Sequence, residues 1–132
     1  MTAVLADSGP LLALAFDADQ YHEQALADLV QLDALRWRVK IVISTVAESY
    51  ALVLRRAEPT FAFTWFDSLR ESADFVFPSE DEYLAGAQLI QRYRDQPITL
   101  ADGILATMSR QLNLPVWTFD HHFDVMRIER WR

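Results

Sequence analysis

The chain has 132 residues, a net charge of −7 at pH 7 and no cysteine. Its length predicts a single domain, residues 1–132, because two hydrophobic cores would need a longer chain. The lack of cysteine excludes a disulfide scaffold, a thiolate zinc site and a cysteine nucleophile. The acidic charge argues against broad non-specific binding to nucleic acid or anionic membranes, although a bound cation would cancel the charge of acids gathered around it.

The first ten residues contain no basic segment followed by a long apolar one, so we expect no signal peptide. No apolar run approaches the roughly 20 residues that span a bilayer. The lack of cysteine also fits a reducing compartment. We therefore expect a cytoplasmic protein that does not bind a membrane.

Short apolar segments alternate with stretches of helical spacing along the whole chain. Four of these segments are predicted to be strands, at residues 3–7, 40–44, 74–78 and 114–119, and a short fifth strand is predicted at 126–131. After the first strand, Pro10 suits the first position of a helix, with Ser8 as its cap. The alternation predicts an α/β fold in which a mostly parallel sheet of four to five strands is covered by helices on both faces.

Five carboxylates follow these strands or begin a helix near them. Asp7 ends the first strand, Glu48 lies about one helical turn beyond the second, and Asp120 and Asp124 follow the fourth. Asp102 lies in the first turn of the helix that precedes the fourth strand. Because ligands bind at the carboxyl ends of parallel strands, these acids are expected to converge on one crevice. Convergent carboxylates repel one another unless a cation is present, and Mg²⁺ or Mn²⁺ prefers such oxygen ligands.

Each of these acids also has a local structural explanation. The pairs Thr45 and Glu48, and Thr99 and Asp102, have the spacing of a capping box, and the acids after strands one and four can close turns. For Glu48 and Asp102 taken singly, helix capping is favoured over metal binding. Taken together, the acids favour a metal site, because capping does not require them to share one edge of a sheet. Metal-dependent phosphodiester hydrolysis is the chemistry that such a site supports.

The pair His121 and His122 raises the alternative of a zinc site. Zinc sites need several histidine, cysteine or carboxylate ligands at organised spacing, and adjacent histidines point in different directions. We therefore expect the aspartates around this pair to carry the metal, and the histidines to face solvent or substrate. Ser8 and Thr118 are expected to support the acids by hydrogen bonds, with ordinary turn chemistry as the alternative.

Four segments, "LADSGPLLAL", "STVAESYALVLRR", "TLADGILATMSR" and "LPVWTFDHHFDVM", together resemble the PIN-domain ribonucleases. Within that family the chain is most similar to the VapC-type toxins of bacterial toxin–antitoxin pairs. The likeness covers nearly the whole chain and keeps the order and spacing of the motifs. It implies a three-layer α/β/α sandwich with Mg²⁺- or Mn²⁺-dependent endoribonuclease activity on RNA. It also implies an antitoxin protein as partner and a homodimer.

The resemblance also assigns roles to residues. The family's acidic metal ligands correspond to Asp7, Glu48, Asp102 and Asp120. Asp124 matches a more variable acid, and Thr118 matches the hydroxyl residue of the family's last motif. The first motif departs from the usual pattern, since it has Gly9 where a residue with a side chain is common.

Two other functions remain open from the sequence. One is a non-catalytic PIN-fold module that holds a partner protein. The other is a Mg²⁺-dependent α/β phosphatase of the haloacid-dehalogenase type, which would need an Asp-x-Asp pair after the first strand and a lysine near the phosphate. The sequence has Asp7-Ser8-Gly9 at that place, and its one lysine, Lys40, stands at the start of the second predicted strand.

Overall fold

The computed structural model describes residues 2–131, in which a central sheet lies between two layers of helices. The strands are β1 (Ala3–Ala6), β2 (Arg38–Val42), β3 (Asp74–Val76) and β4 (Val116–Trp117). All three strand pairings are parallel, and the strand order is β3-β2-β1-β4. The predicted three-layer α/β/α sandwich with a parallel sheet is confirmed.

Seven helices connect or follow the strands in the described part of the chain. They are α1 (Ser8–Ala15), α2 (His22–Ala34), α3 (Ile43–Arg56), α4 (Pro59–Ser72), α5 (Glu80–Gln91), α6 (Leu100–Leu112) and α7 (His122–Val125). Within residues 2–131, none of them has both the length and the apolar character that crossing a membrane requires.

The sheet separates two hydrophobic cores, because successive residues of a strand point to opposite faces. Leu5, Val42 and Val116 face one core, which α5, α6 and α7 complete. The neighbouring residues Val4, Ile41 and Trp117 face the other core, to which α1, α2 and α3 contribute. Both faces of the sheet are therefore buried, which explains why its strands are almost continuously apolar.

Each of the four strands ends one or two residues earlier than predicted. The second strand ends at Val42, two residues earlier than predicted, because Ile43 and Ser44 already belong to α3. A β-branched residue packs as well in the first turn of a buried helix as at the end of a strand. The predicted fifth strand is reduced to an isolated bridge between Arg130 and Val116, so the sheet of the described residues has four strands.

Two predicted helix starts are wrong. Helix α1 begins at Ser8 and is capped by Asp7, whose carboxylate accepts the Ser8 N–H at 2.8 Å, so Pro10 is its third residue. The predicted box of Thr45 and Glu48 does not form, because α3 begins at Ile43 and Thr45 already lies inside the helix. Glu48 therefore has no capping role there.

The other predicted box is confirmed. The Thr99 hydroxyl accepts the N–H of Asp102 at 3.1 Å, and the Asp102 carboxylate accepts the N–H of Thr99 at 3.3 Å. These bonds fix the first turn of α6. Two glycines then bring α5 and α6 close together: a Cβ on Gly103 would lie 2.5 Å from the backbone oxygen of Gly86. This close packing sets the position of Asp102, the residue before Gly103.

Candidate metal centre

Three carboxylates meet at the carboxyl edge of the sheet. Asp7, Glu48 and Asp102 each offer one oxygen atom, and these atoms all lie within 4.8 Å of one another. Asp7 directly follows β1, Glu48 lies in the second turn of α3, and Asp102 lies in the first turn of α6. We call these three residues the acidic cluster. The predicted convergence of acids from distant segments at this edge is thus present for three of the five.

The acidic cluster lies at the point where the chain changes direction across the sheet. From β1 the chain proceeds to β2 and β3 on one side, and β4 is then added on the other side of β1. Connections that leave in opposite directions open a crevice at the carboxyl ends of the two strands between them, here β1 and β4. Asp7 and Thr118 directly follow these two strands and so border the crevice.

Asp7 is the most deeply buried acid, with only 4% of its surface exposed. Its Oδ1 accepts the backbone N–H of Ser8 at 2.8 Å, and its Oδ2 accepts the hydroxyl of Thr118 at 2.8 Å. Burial, and next the charge of Asp102, raise the pKa of Asp7 to about 7, against the smaller lowering effects of these two hydrogen bonds. The site thus holds an acid that gives up its proton near neutral pH.

Asp102 is buried beside Glu48 and is coupled to it through Thr99. Burial first, and then the charges of Glu48 and Asp120, raise the pKa of Asp102 to about 6, against the lowering effect of the hydrogen bonds with Thr99. The Thr99 hydroxyl also donates to Glu48 Oε2 at 3.3 Å. Thr99 had no predicted role beyond capping, yet it contacts two members of the acidic cluster. The capping-box spacing was the signal that pointed to it.

Asp120 lies beside the acidic cluster and belongs to a second group of possible ligands. Asp120, His121 and His122 each offer an atom within 4.8 Å of the others. The Asp120 carboxylate accepts the N–H of His122 at 2.9 Å, which is the predicted Asx turn, and His122 Nδ1 lies 3.2 Å from the same oxygen. The N–H of Asp120 donates to Thr118 at 2.9 Å, so one hydroxyl connects Asp120 with Asp7.

The fifth acid lies apart from these groups. Asp124 Oδ2 is 3.5 Å from Arg130 Nη1, and about half of the Asp124 side chain is exposed. It is not among the acids of the described residues that come within ligand distance of each other. Ser8, the other predicted supporting residue, contacts the acidic cluster through its backbone N–H.

No protein-family model matches the chain, and no curated protein matches it in sequence. Solved structures, however, are similar over nearly its whole length. VapC20 of Mycobacterium tuberculosis, a toxin that cleaves the sarcin–ricin loop, is 16% identical with a TM-score of 0.84, and the match covers 98% of this chain and 99% of that one. The chain has the PIN-domain fold of the VapC toxins.

Two further structures have this PIN-domain fold in complexes. VapBC2 of Rickettsia felis, solved with a DNA fragment from its promoter, is 12% identical with a TM-score of 0.77 and coverage of 99% and 98%. A toxin–antitoxin complex from Klebsiella pneumoniae is 18% identical with a TM-score of 0.60 and coverage of 90% and 88%. At such low identity the likeness establishes the fold, and any function must be argued from the side chains of the site.

Proposed function

We propose that this protein is a divalent-metal-dependent endoribonuclease and the toxin component of a toxin–antitoxin pair. The observation that carries the proposal is the acidic cluster at the crevice between β1 and β4. The fold supports it, since VapC20, which has the same fold, is a toxin that cleaves an RNA loop. We propose RNA as substrate, an antitoxin as partner, a homodimer as the assembly and the cytoplasm as the place of action.

The acidic cluster has the properties that a divalent cation would satisfy. Burial and mutual repulsion raise the pKa values of Asp7 and Asp102 to about 7 and about 6, and a bound cation would oppose both effects. All the donors are carboxylate oxygens, which suit Mg²⁺ or Mn²⁺. Asp7, Glu48 and Asp102 are the residues that would hold the ion directly, and Asp120 is near enough to contribute through water. When bound there, such an ion would supply activation of water for attack on a phosphodiester and stabilisation of the charge on the phosphate oxygens.

The surrounding residues keep the acids in place for this chemistry. Thr118 fixes one oxygen of Asp7, and Ser8 fixes the other. Thr99 contacts both Glu48 and Asp102. Hydrogen bonds of this kind hold ligands in one orientation and limit the reorganisation needed when substrate arrives. Asp7 and Asp102 are buried and Glu48 is half-buried, so we expect an RNA phosphate to approach from the side of Glu48.

The experiment that tests the proposal is RNA cleavage by the purified protein, shown to be folded and free of antitoxin. Pooled tRNA and rRNA, and a separate sarcin–ricin loop RNA, are incubated with Mg²⁺, with Mn²⁺ or with EDTA. Asp7→Asn is the test variant, and Asp67→Asn, which changes an exposed acid on α4, is the matched control. We expect metal-dependent cutting by the wild type and by Asp67→Asn, with none by Asp7→Asn.

Two results would contradict the proposal. Cutting by Asp7→Asn at the wild-type rate would mean that the acidic cluster is not the active site. Metal binding without cutting of any substrate would favour the non-catalytic module that holds a partner protein.

A further inference from the structure

A cavity of about 390 Å³ adjoins the acidic cluster at the crevice between β1 and β4. Its volume is within the range of about 300–1,000 Å³ that is usual for ligand sites. Asp7 and Asp120 form the end next to the acidic cluster. The rest of the cavity is lined by residues that include Gly9, Asp19, Tyr21, Arg56 and Phe119. None of these five was predicted from the sequence to bind a ligand.

One wall of the cavity is a pair of stacked aromatic rings. The rings of Tyr21 and Phe119 are 4.7 Å apart between centroids and are inclined by 23°. Tyr21 is 42% exposed, so its ring remains available to a ligand. Its backbone is held in place, because its N–H donates to the Asp19 carboxylate at 2.8 Å. A fixed and exposed aromatic surface is what an unstacked nucleobase packs against.

The cavity also contains a positively charged group in a chain whose net charge is −7. Arg56 Nη1 lies 3.6 Å from Asp19 Oδ2, and its guanidinium lies 5.5 Å from the ring centroid of Phe16. Both contacts orient the guanidinium, while about half of the Arg56 side chain stays exposed. Arg56 is two helical turns beyond Glu48 on α3, about 12 Å along the helix axis. An arginine so placed can bind a phosphate at some distance from the acidic cluster.

The glycine of the first motif leaves room in this cavity. A Cβ at Gly9 would lie 3.7 Å from Phe119 Cδ2, so any side chain there would project beside the aromatic wall. Because the PIN-domain ribonucleases commonly have a residue with a side chain at this position, Gly9 leaves more space next to Asp7.

We infer that this cavity is a nucleotide subsite, which holds one unstacked nucleotide of single-stranded RNA beside the bond that is cut. Its base packs against Tyr21 and Phe119, and Arg56 binds a phosphate of the same strand. The identity of the ligand as RNA rests on the proposed function.

The first test measures kcat and KM separately on a single-stranded RNA that the wild type cuts, with every base varied at the positions beside the cut. Tyr21→Ala and Arg56→Gln are compared with the matched controls Tyr21→Phe, which keeps the ring, and Arg55→Gln, which changes the neighbouring exposed arginine. We expect Tyr21→Ala to raise KM at least about fivefold, as loss of one stacked base does, and to do so for every base at that position. Arg56→Gln should raise KM with little change in kcat. Tyr21→Phe should raise KM less than Tyr21→Ala does, and Arg55→Gln should match the wild type.

The second test separates this inference from the proposed nuclease activity. The four ribonucleoside 5′-monophosphates are titrated into the wild type in EDTA while the backbone amide signals of Gly9, Tyr21 and Phe119 are followed by NMR. Movement of these signals that is lost in Tyr21→Ala supports the subsite even if no RNA is cut. Signals that stay unmoved up to the highest nucleotide concentration tested, or RNA cutting by Tyr21→Ala and Arg56→Gln with the KM of the wild type, would overturn it.

Discussion

The hydroxyl of Thr118 donates a hydrogen bond of 2.8 Å to the buried carboxylate of Asp7, although 111 positions separate the two residues in the chain. The bond crosses from the end of β4 to the end of β1, and it is formed at the crevice where the acidic cluster lies. The same hydroxyl accepts the N–H of Asp120 at 2.9 Å. The single hydroxyl of Thr118 therefore links the positions of two acids, Asp7 and Asp120.

Thr118→Val is expected to disturb both Asp7 and Asp120 while keeping the shape of the side chain. Loss of these buried hydrogen bonds should lower the free energy of unfolding by about 1–3 kcal/mol. Because the Thr118 bond lowers the pKa of Asp7, its loss should raise that pKa and move the acidic limb of the pH–activity profile to higher pH. The profile is measured for Thr118→Val and for Thr118→Ser, which keeps the hydroxyl and should resemble the wild type. An unshifted limb in Thr118→Val would show that the bond does not tune Asp7.

The raised pKa of Asp7 predicts how the stability of the metal-free protein depends on pH. An acid whose pKa rises on folding, here from 3.8 to about 7, favours the folded state below the lower value and loses that contribution as pH rises through the higher one. In EDTA, the wild type should therefore lose stability relative to Asp7→Asn between about pH 4 and pH 7, by on the order of 4 kcal/mol. Urea unfolding of both proteins across this range measures the difference, in which the contributions of acids remote from Asp7 cancel. Asp67→Asn should give no such pH-dependent difference.

The affinity for a metal ion is expected to rise with pH, whereas the contribution of Asp7 to stability falls as pH rises. A cation binds the ionised carboxylates, so below about pH 7 it must displace a proton from Asp7. The apparent affinity for Mn²⁺ should therefore fall about tenfold per pH unit as pH drops from 7 to 6, and more steeply below about 6, where Asp102 also takes up a proton. Calorimetric titration with Mn²⁺ at several pH values measures this. An affinity that stays constant over this range would mean that the ion binds outside the acidic cluster. The variant Asp102→Asn should bind Mn²⁺ weakly at every pH.

The contact between α5 and α6 predicts an unequal response of two glycines to alanine. A Cβ on Gly103 would lie 2.5 Å from both the Gly86 oxygen and Ile90 Cγ2, so Gly103→Ala must push the helices apart, at a cost of about 1–3 kcal/mol. Gly9→Ala meets only an ordinary contact at 3.7 Å, and alanine is the better helix former, so it should be neutral or slightly stabilising. Urea unfolding of the two variants tests this. Equal stability of both would mean that the packing of α6 does not depend on the glycine.

The alternation of apolar strands with helices was sufficient to predict the parallel sheet and its two helical layers. It was less precise at Ile43, because an apolar β-branched residue fits a buried strand and a buried helix equally well. The three-residue spacing of a capping box gave a correct prediction for Thr99 and Asp102. The same spacing gave a wrong prediction for Thr45 and Glu48, where no box forms. Local spacing alone does not decide where a helix begins.

The acidic cluster was accessible to sequence analysis because a parallel sheet places the ends of its strands at one edge. The cavity beside it was not. The ring pair of Tyr21 and Phe119 and the ion pair of Arg56 and Asp19 join segments that are 98 and 37 residues apart, and no periodicity relates them. Such contacts depend on how loops close over the sheet, which the order of strands and helices leaves open.

The positions of Asp120 and Asp124 predict that Asp120 contributes more than Asp124 to metal binding and RNA cleavage, although the two acids are only four residues apart. Asp120 lies at the crevice, shares Thr118 with Asp7 and raises the pKa of Asp102 by its charge. Loss of such a supporting acid typically lowers metal affinity or activity about 10–100-fold, which we expect for Asp120→Asn.

Asp124→Asn provides the matched comparison for Asp120→Asn. Asp124 is half exposed and contacts Arg130 at 3.5 Å, so its loss should cost less than about 1 kcal/mol of stability and leave cleavage close to the wild-type rate. Cleavage rates and Mn²⁺ affinities of the two variants are measured side by side. If Asp124→Asn were as impaired as Asp120→Asn, the acidic site would have to extend to Asp124 in the metal-bound protein, and the ion pair with Arg130 would have to open when the ion binds.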